Sequence, residues 1–235
     1  MEFCAADLFH WKSKVAVRTT SGSVTVHLRT LSSVQDEQRF DGATAASRVM
    51  RAEIEDENSI GYQTHIAPIV KLKRDGLLGT IRALQRGLFL REARWKVEPY
   101  GDPDPPEDHP TILDMLDWRD EEDGLNEELE ERRTAWVEEQ MDVYDEELNE
   151  KTEGELRELA IGLHSLSLCE RAFTKEFDYQ TVFHGSYKDE ACTAAFFSSI
   201  DDVRELPPGV FAQIAWAYRQ LDEFSFDLDK LKNSS

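Results

Sequence analysis

Between Glu98 and Pro110 the chain reads EPYGDPDPPEDHP, with five prolines and one glycine in thirteen residues. Proline lacks the amide hydrogen and clashes with the preceding turn, so no helix crosses this run. The acids between the prolines repel one another, which favours an extended, polyproline-like form. The break predicts three parts: residues 1–98, a Pro/Asp-rich linker over 99–110, and a region over 111–235.

Charge follows the same division. The chain carries 48 acids against 27 bases, a formal net charge of −21. Residues 1–100 hold 12 acids and 15 bases, 101–160 hold 24 and 5, and 161–235 hold 12 and 7. The acidic excess therefore sits in the middle of the chain. Such a balance repels nucleic acids and anionic membranes and suits a basic or polar protein partner. Hydrophobic residues make up 40 % of the chain, including 12 Phe, 6 Tyr and 5 Trp, a content that disordered chains lack. No run approaches the ~20 apolar residues of a membrane span. The N-terminal MEFCAADLFHW carries Glu2 and Asp7 and has neither the basic nor the apolar region of a secretory signal. Cys4, Cys169 and Cys192 are odd in number and far apart, so a disulfide framework is not expected and the residues read as small buried hydrophobes.

Val15–Thr20 is rich in β-formers, Ser21-Gly22-Ser23 supplies a turn, and Val24–Arg29 alternates. The spacing puts Val24, Val26 and Leu28 on one face of a hairpin, which must pack on helices to be stable. Helical patterns follow. Ser32 or Ser33 caps a helix carrying Phe40, Ala43, Met50 and Ile54. Tyr62, Ile66, Ile69 and Val70 mark a second helix, kinked or divided by Pro68. Leu77, Ile81, Leu84 and Leu88 form the stripe of a third. Beyond the linker, Thr111 caps a helix from Ile112 whose seam is Leu125, Leu129, Trp136, Val137, Met141, Tyr144 and Leu148. A further helix carries Leu156, Leu159, Leu163, Leu166, Phe173 and Phe177. The last two are expected to pair antiparallel around Lys151–Gly154. A final helix begins at Pro207-Pro208 and carries Val210, Phe211, Ile214, Ala217, Tyr218 and Leu221. The fold class expected is mainly α with a small N-terminal β-hairpin (α+β) and a helical C-terminal region.

The chain offers no recognisable chemistry. An EF-hand loop started at Asp102 meets Pro106 and Glu107 where an acid and glycine are needed, and one started at Asp120 has its glycine a place early. None of His10, His27, His65, His109, His164 and His184 makes a metal-binding spacing, and no nucleotide-binding or nucleophile-elbow motif occurs. Glu121-Glu122 and Glu127-Glu128 sit in an acidic run with no sign of a pocket. Lys71, Lys73, Arg74, Arg82, Arg86, Arg91, Arg94 and Lys96 make a basic stretch that reads as a helix face neutralised by the acidic middle, not as a nucleic-acid site. No enzyme activity, cofactor or metal is expected. The seam residues Trp136, Met141 and Tyr144 stand out as candidates for binding a partner.

Two stretches resemble a known family. One runs from Val24-Thr25-Val26-His27-Leu28-Arg29-Thr30-Leu31-Ser32 to Arg51-Ala52-Glu53-Ile54. The other runs from Asp201-Asp202-Val203-Arg204-Glu205-Leu206-Pro207-Pro208-Gly209-Val210 through Ala217-Tyr218-Arg219-Gln220-Leu221 to Leu231-Lys232-Asn233. Together they resemble the tail assembly chaperones of long-tailed bacteriophages, with a β opening, an alanine-bearing helix, an acidic middle and a terminal AY-x-x-L helix. The resemblance implies a protein of the host cell cytoplasm. Its expected partners are the tape-measure protein and tail-tube subunits, and it binds neither nucleic acid nor membrane. Two other functions fit the composition: a structural virion component, such as a connector or tail accessory protein, and an acidic DNA mimic that inhibits a nucleic-acid-binding enzyme.

Overall fold

A computed structural model describes residues 12–20, 22–97 and 112–233, and the side chains of these outside 112–126 and 223–233. The protein is mainly helical with a small antiparallel sheet. Its elements are β1 (Lys12–Thr19), β2 (Gly22–Arg29), α1 (Ser33–Glu55), a π-helical turn (Tyr62–Ile66), α2 (Ala67–Val70), α3 (Arg74–Lys96), α4 (Ile112–Glu150), α5 (Glu153–Gly185), β3 (Ser186–Tyr187), α6 (Ile200–Arg204) and α7 (Pro208–Asn233). No helix among the described residues is long and apolar enough to cross a membrane.

The chain divides into two compact units: residues 1–52 with 168–235, and residues 53–167. This division departs from the expected grouping into 1–98 and 111–235. In the first unit, the open apolar face of the early hairpin is completed by α7 from late in the chain. The linker expected over 99–110 lies outside the described residues.

In the first unit β1 and β2 pair from Lys12↔Arg29 to Thr19↔Gly22, and Gly22 takes the left-handed backbone (φ +140°) that lets the hairpin reverse. The turn falls one residue earlier than the expected Ser21–Ser23. Alternation puts Val17, Val26 and Leu28 in the core, but Val24, beside the turn, is exposed. The buried side chains meet Ile214, Tyr218 and Leu221 of α7, Val182 of α5 and Val203 of α6. Each such aliphatic side chain stabilises the fold by roughly 1.5–3 kcal/mol relative to exposure. α1 starts at a reciprocal cap: the Ser32 amide donates to Gln35 Oε1 (3.1 Å) and the Gln35 amide to Ser32 Oγ (3.3 Å). Two short elements lie outside the expectations drawn from the sequence. β3 pairs with His27 and Leu28 of β2 through two residues, and α6 is one turn held by a Ser199/Asp202 capping box.

In the second unit the segment around Pro68 divides as expected, just ahead of the proline. The Ala67 amide reaches back five residues to the Tyr62 carbonyl, and Pro68 occupies the first turn of α2, where its missing N–H costs least. α3 then lies antiparallel along α4. Leu77 and Ile81 bury against Leu148, Leu156 and Ala160, and Ala93 against Val137 and Met141. This corrects the expected partner of α4. Its closest packing is with α3, because α3 supplies both an apolar stripe and the arginines that its acids need, whereas α5 joins the cluster from Leu156 onward. The corner between α4 and α5 is Lys151-Thr152, where Thr152 and Glu155 form a second reciprocal cap. The Glu155 carboxyl is held below its ordinary range by the Thr152 amide and hydroxyl.

Candidate functional site

The residues expected to meet a partner lie on the α3–α4 face of the second unit. Met141 is buried, and Trp136 and Tyr144 are half-buried. All three are brought together, but against the unit's own α3. Phe89 sits edge-on to both rings, with centroids 6.0 Å from Trp136 and 6.2 Å from Tyr144. Burial, with Glu147 nearby, pushes the Tyr144 hydroxyl above its ordinary pKa. The seam is therefore internal packing. An amphipathic stripe satisfied within the chain and one left for a partner have the same spacing, so sequence alone did not separate them.

Three arginines of the basic stretch, Arg74, Arg82 and Arg86, are engaged in the same unit. Arg82 Nε lies 2.7 Å from Asp145 Oδ1, and Arg86 Nη2 lies 2.5 Å from Glu138 Oε1. Two arginines satisfy the open carbonyls at helix ends. Arg74 donates to the Lys151 and Asn149 carbonyls (2.6 and 3.1 Å), and Arg157 to those of Val70 and Leu72 (3.1 and 3.3 Å). The EF-hand frame from Asp120 falls inside the continuous helix α4 and has no loop in which to fold around an ion. Among the described residues no three His, Cys, Asp or Glu side chains cluster as metal ligands.

The first unit gathers polar side chains around Tyr187. Arg29 Nη2 donates to its hydroxyl at 2.7 Å, with the guanidinium 4.7 Å from the ring centroid, and Gln35 Nε2 donates to both this hydroxyl and the His184 carbonyl (3.2 Å each). The Leu31 amide donates to the buried Tyr218 hydroxyl at 3.0 Å. Burial raises the Tyr218 pKa and lowers that of His184, keeping each group neutral. Glu176, also buried, accepts from Arg204 Nη2 and Gln180 Nε2, both at 2.8 Å. The Glu176 contact raises the Arg204 pKa. These groups tie β2, β3, α1, α5 and α6 to one another. The two contacts on Glu176 both fall on its Oε1, and with the buried phenol they serve as packing and framework contacts of this unit.

Residues 188–195 form a pinned loop. Asp189 accepts from the backbone amides of Thr193 (3.1 Å) and Ala194 (2.7 Å), which hold its carboxyl below the usual range. Cys192 turns the loop with a left-handed φ of 56°. Its thiol is buried, and burial raises its pKa, so the protonated and unreactive form dominates. Cys169 is likewise free and buried, which is the reading given to both from the sequence. Cys4, His10 and His109 lie outside the described residues.

Charge is also unevenly divided between the units. Residues 53–167 contain 31 acids and 13 bases (−18), and the rest of the chain contains 17 and 14 (−3), which together give −21. No protein-family model, no curated protein and no solved structure matches the chain.

Proposed function

We propose that this chain is a non-catalytic tail assembly chaperone that holds a tape-measure protein, and engages tail-tube subunits, while a phage tail is built. One observation carries the reading. The two stretches that resemble this family, about 150 residues apart in sequence, share the core of the first unit. Val26 and Leu28 come from the first stretch, and Val203, Ile214, Tyr218 and Leu221 from the second. The Leu31 amide of the first donates to the Tyr218 hydroxyl of the second, inside the AY-x-x-L motif. Apart from Glu53 and Ile54, the two stretches thus fall in one folded unit, with the acidic second unit inserted between them. That insertion supplies the charge that keeps a client complex soluble and orients basic client residues. The Trp136–Met141–Tyr144 seam is not assigned to the client in this reading, since α3 covers it.

Co-expression with the tape-measure protein encoded by the same genome is the test. Recovery of both chains in one complex, through an affinity tag on either, supports the reading. A tape-measure protein that is equally soluble without this chain and does not co-purify with it refutes the reading. The −18 of the second unit favours the acidic DNA mimic as the second candidate. A mimic would release a DNA-binding enzyme from duplex DNA in a competition assay, which a tail chaperone would not do.

A further inference from the structure

β1 is an edge strand. The sheet order is β1-β2-β3, and among the described residues no strand lies beyond β1. In an antiparallel pair the N–H and C=O of alternate residues point together toward the partner or away from it. The direction here is fixed by Gln213 of α7. Its side-chain amide accepts from the Arg18 N–H (3.1 Å) and donates to the Arg18 carbonyl (3.5 Å), so Arg18 faces away from β2. Ala16 and Lys14, two and four residues earlier, face the same way. Gln213 thus acts as a peptide group on the last rung of the edge, and the rungs at Ala16 and Lys14 offer the same pair of groups.

The side chains of this edge are basic. Lys14 and Arg18 are exposed, with His27 and Ser23 opposite them, and no Asp or Glu occurs between residues 12 and 35. Lys12 is tied by its Nζ to the Ala191 carbonyl at 3.2 Å. In a chain of net charge −21 this is a local inversion of sign. Two copies of β1 meeting edge to edge would bring these bases beside one another, as lysines on exposed edges do to prevent self-pairing. A nucleic acid carries the opposite charge but has no backbone that pairs with alternating N–H and C=O groups.

We propose that the outer edge of β1, across Lys14 and Ala16, takes up an extended acidic segment of a partner protein as an added strand. Backbone pairing at these two rungs gives affinity, and carboxylates at every second residue of the incoming strand meet Lys14 and Arg18. This inference stands apart from the assignment of the chain as a chaperone.

The probe is an eight-residue peptide of alternating Glu and Thr, titrated into the full chain at low salt and followed by fluorescence anisotropy. The peptide should bind at one site and weaken as salt rises. Lys14→Glu with Arg18→Glu should weaken it at least tenfold. Both positions are exposed, so folding should survive, as circular dichroism would show. The same peptide N-methylated at alternate residues, with its charges unchanged but the donors that face the edge removed, should also lose at least tenfold. Binding that survives N-methylation, or is unchanged in the double variant, would overturn the proposal. So would equal binding of a Lys-Thr peptide, or tighter binding of a single-stranded RNA oligomer.

Discussion

The contact between Tyr218 and the segment following β2 gives the sharpest test of how the first unit is held together. Tyr218 is 2 % exposed, and its hydroxyl accepts the Leu31 amide. Tyr218→Phe keeps the ring and leaves that amide without its acceptor, which should cost about 1–3 kcal/mol, toward the lower end because the site is only partly buried. Tyr218→Leu also removes ring volume and should cost more. The ring has a second close neighbour. A Cβ added at Gly185 would stand 2.4 Å from Tyr218 Cε2 and 2.8 Å from Cδ2, so Gly185→Ala should cost about 1–3 kcal/mol through overpacking. Two units need not unfold together, so a global melt is a poor reporter. Amide exchange within residues 13–28 and 203–221 reads the first unit itself, and each ~1.4 kcal/mol should raise exchange about tenfold. In a double-mutant cycle Gly185→Ala should cost less in the Tyr218→Leu background than alone, since the clash is with the ring. Unchanged exchange in Tyr218→Phe would refute the hydrogen-bond reasoning, and strict additivity of Gly185→Ala with Tyr218→Leu would refute the steric one.

Four further outcomes follow from the same geometry. Met141→Ala should destabilise residues 53–167 by about 2–5 kcal/mol, because the side chain packs in that unit's own core; urea denaturation followed by amide exchange in α3 and α4 would show it, and a loss under ~0.5 kcal/mol would mean the seam is open to partners. Arg82 with Asp145 and Arg86 with Glu138 are partly exposed pairs, so double-mutant cycles should give about 0.2–1 kcal/mol each, falling with added salt. The Asp189 and Asp202 carboxyls are lowered from 3.8 by backbone amides, of Thr193 and Ala194 and of Ser199 and Ser198 respectively; their contribution to stability is complete above that value and is lost as pH falls through their lower folded values. Asp202→Asn should therefore flatten the acid limb of the unfolding profile. His184 has its pKa lowered from 6.5 by burial, so its neutral form is favoured in the fold and stability should fall as pH drops through and below that value, a loss that His184→Gln should reduce.

Much of the fold was legible because it rests on periodicity and punctuation. Alternation at Val24–Arg29, the cap at Ser32, the stripe Leu77–Ile81 and the prolines at 68 and 207–208 each specify a local outcome, and the structure has an element at each; the expected cap Thr111 lies outside the described residues. What periodicity cannot specify is the partner of a face. The seam on α4 fits α5, α3 or a foreign helix equally well as a pattern. The choice of α3 rests on Leu77, Ile81 and Ala93 burying against it, with Arg82 and Arg86 lying opposite Asp145 and Glu138, a register set by the tertiary fold. The same blindness explains the division into units, since nothing local to residues 12–29 announces that α7 will cover them. β3 is two residues long and carries no pattern. α6 left a readable trace, Ser199 followed three residues later by Asp202, a capping box opening a helix of one turn. For the site, the sequence singled out Trp136, Met141 and Tyr144 as candidates for a partner and held no sign that α3 would pack against them. The basic edge of β1 was visible only as an acid-free stretch, and only the Gln213 contact to Arg18 shows which way its backbone faces.

The most direct test of the proposed function is a holding assay. A phage tape-measure protein, the client of the proposal, would be diluted from denaturant with and without an equimolar amount of the purified protein, and the pelleted fraction measured by sedimentation. A chaperone of this kind should keep most of the client in the supernatant, in a complex that migrates as one species. Equal pelleting in both conditions, with this chain sedimenting alone, would contradict the account.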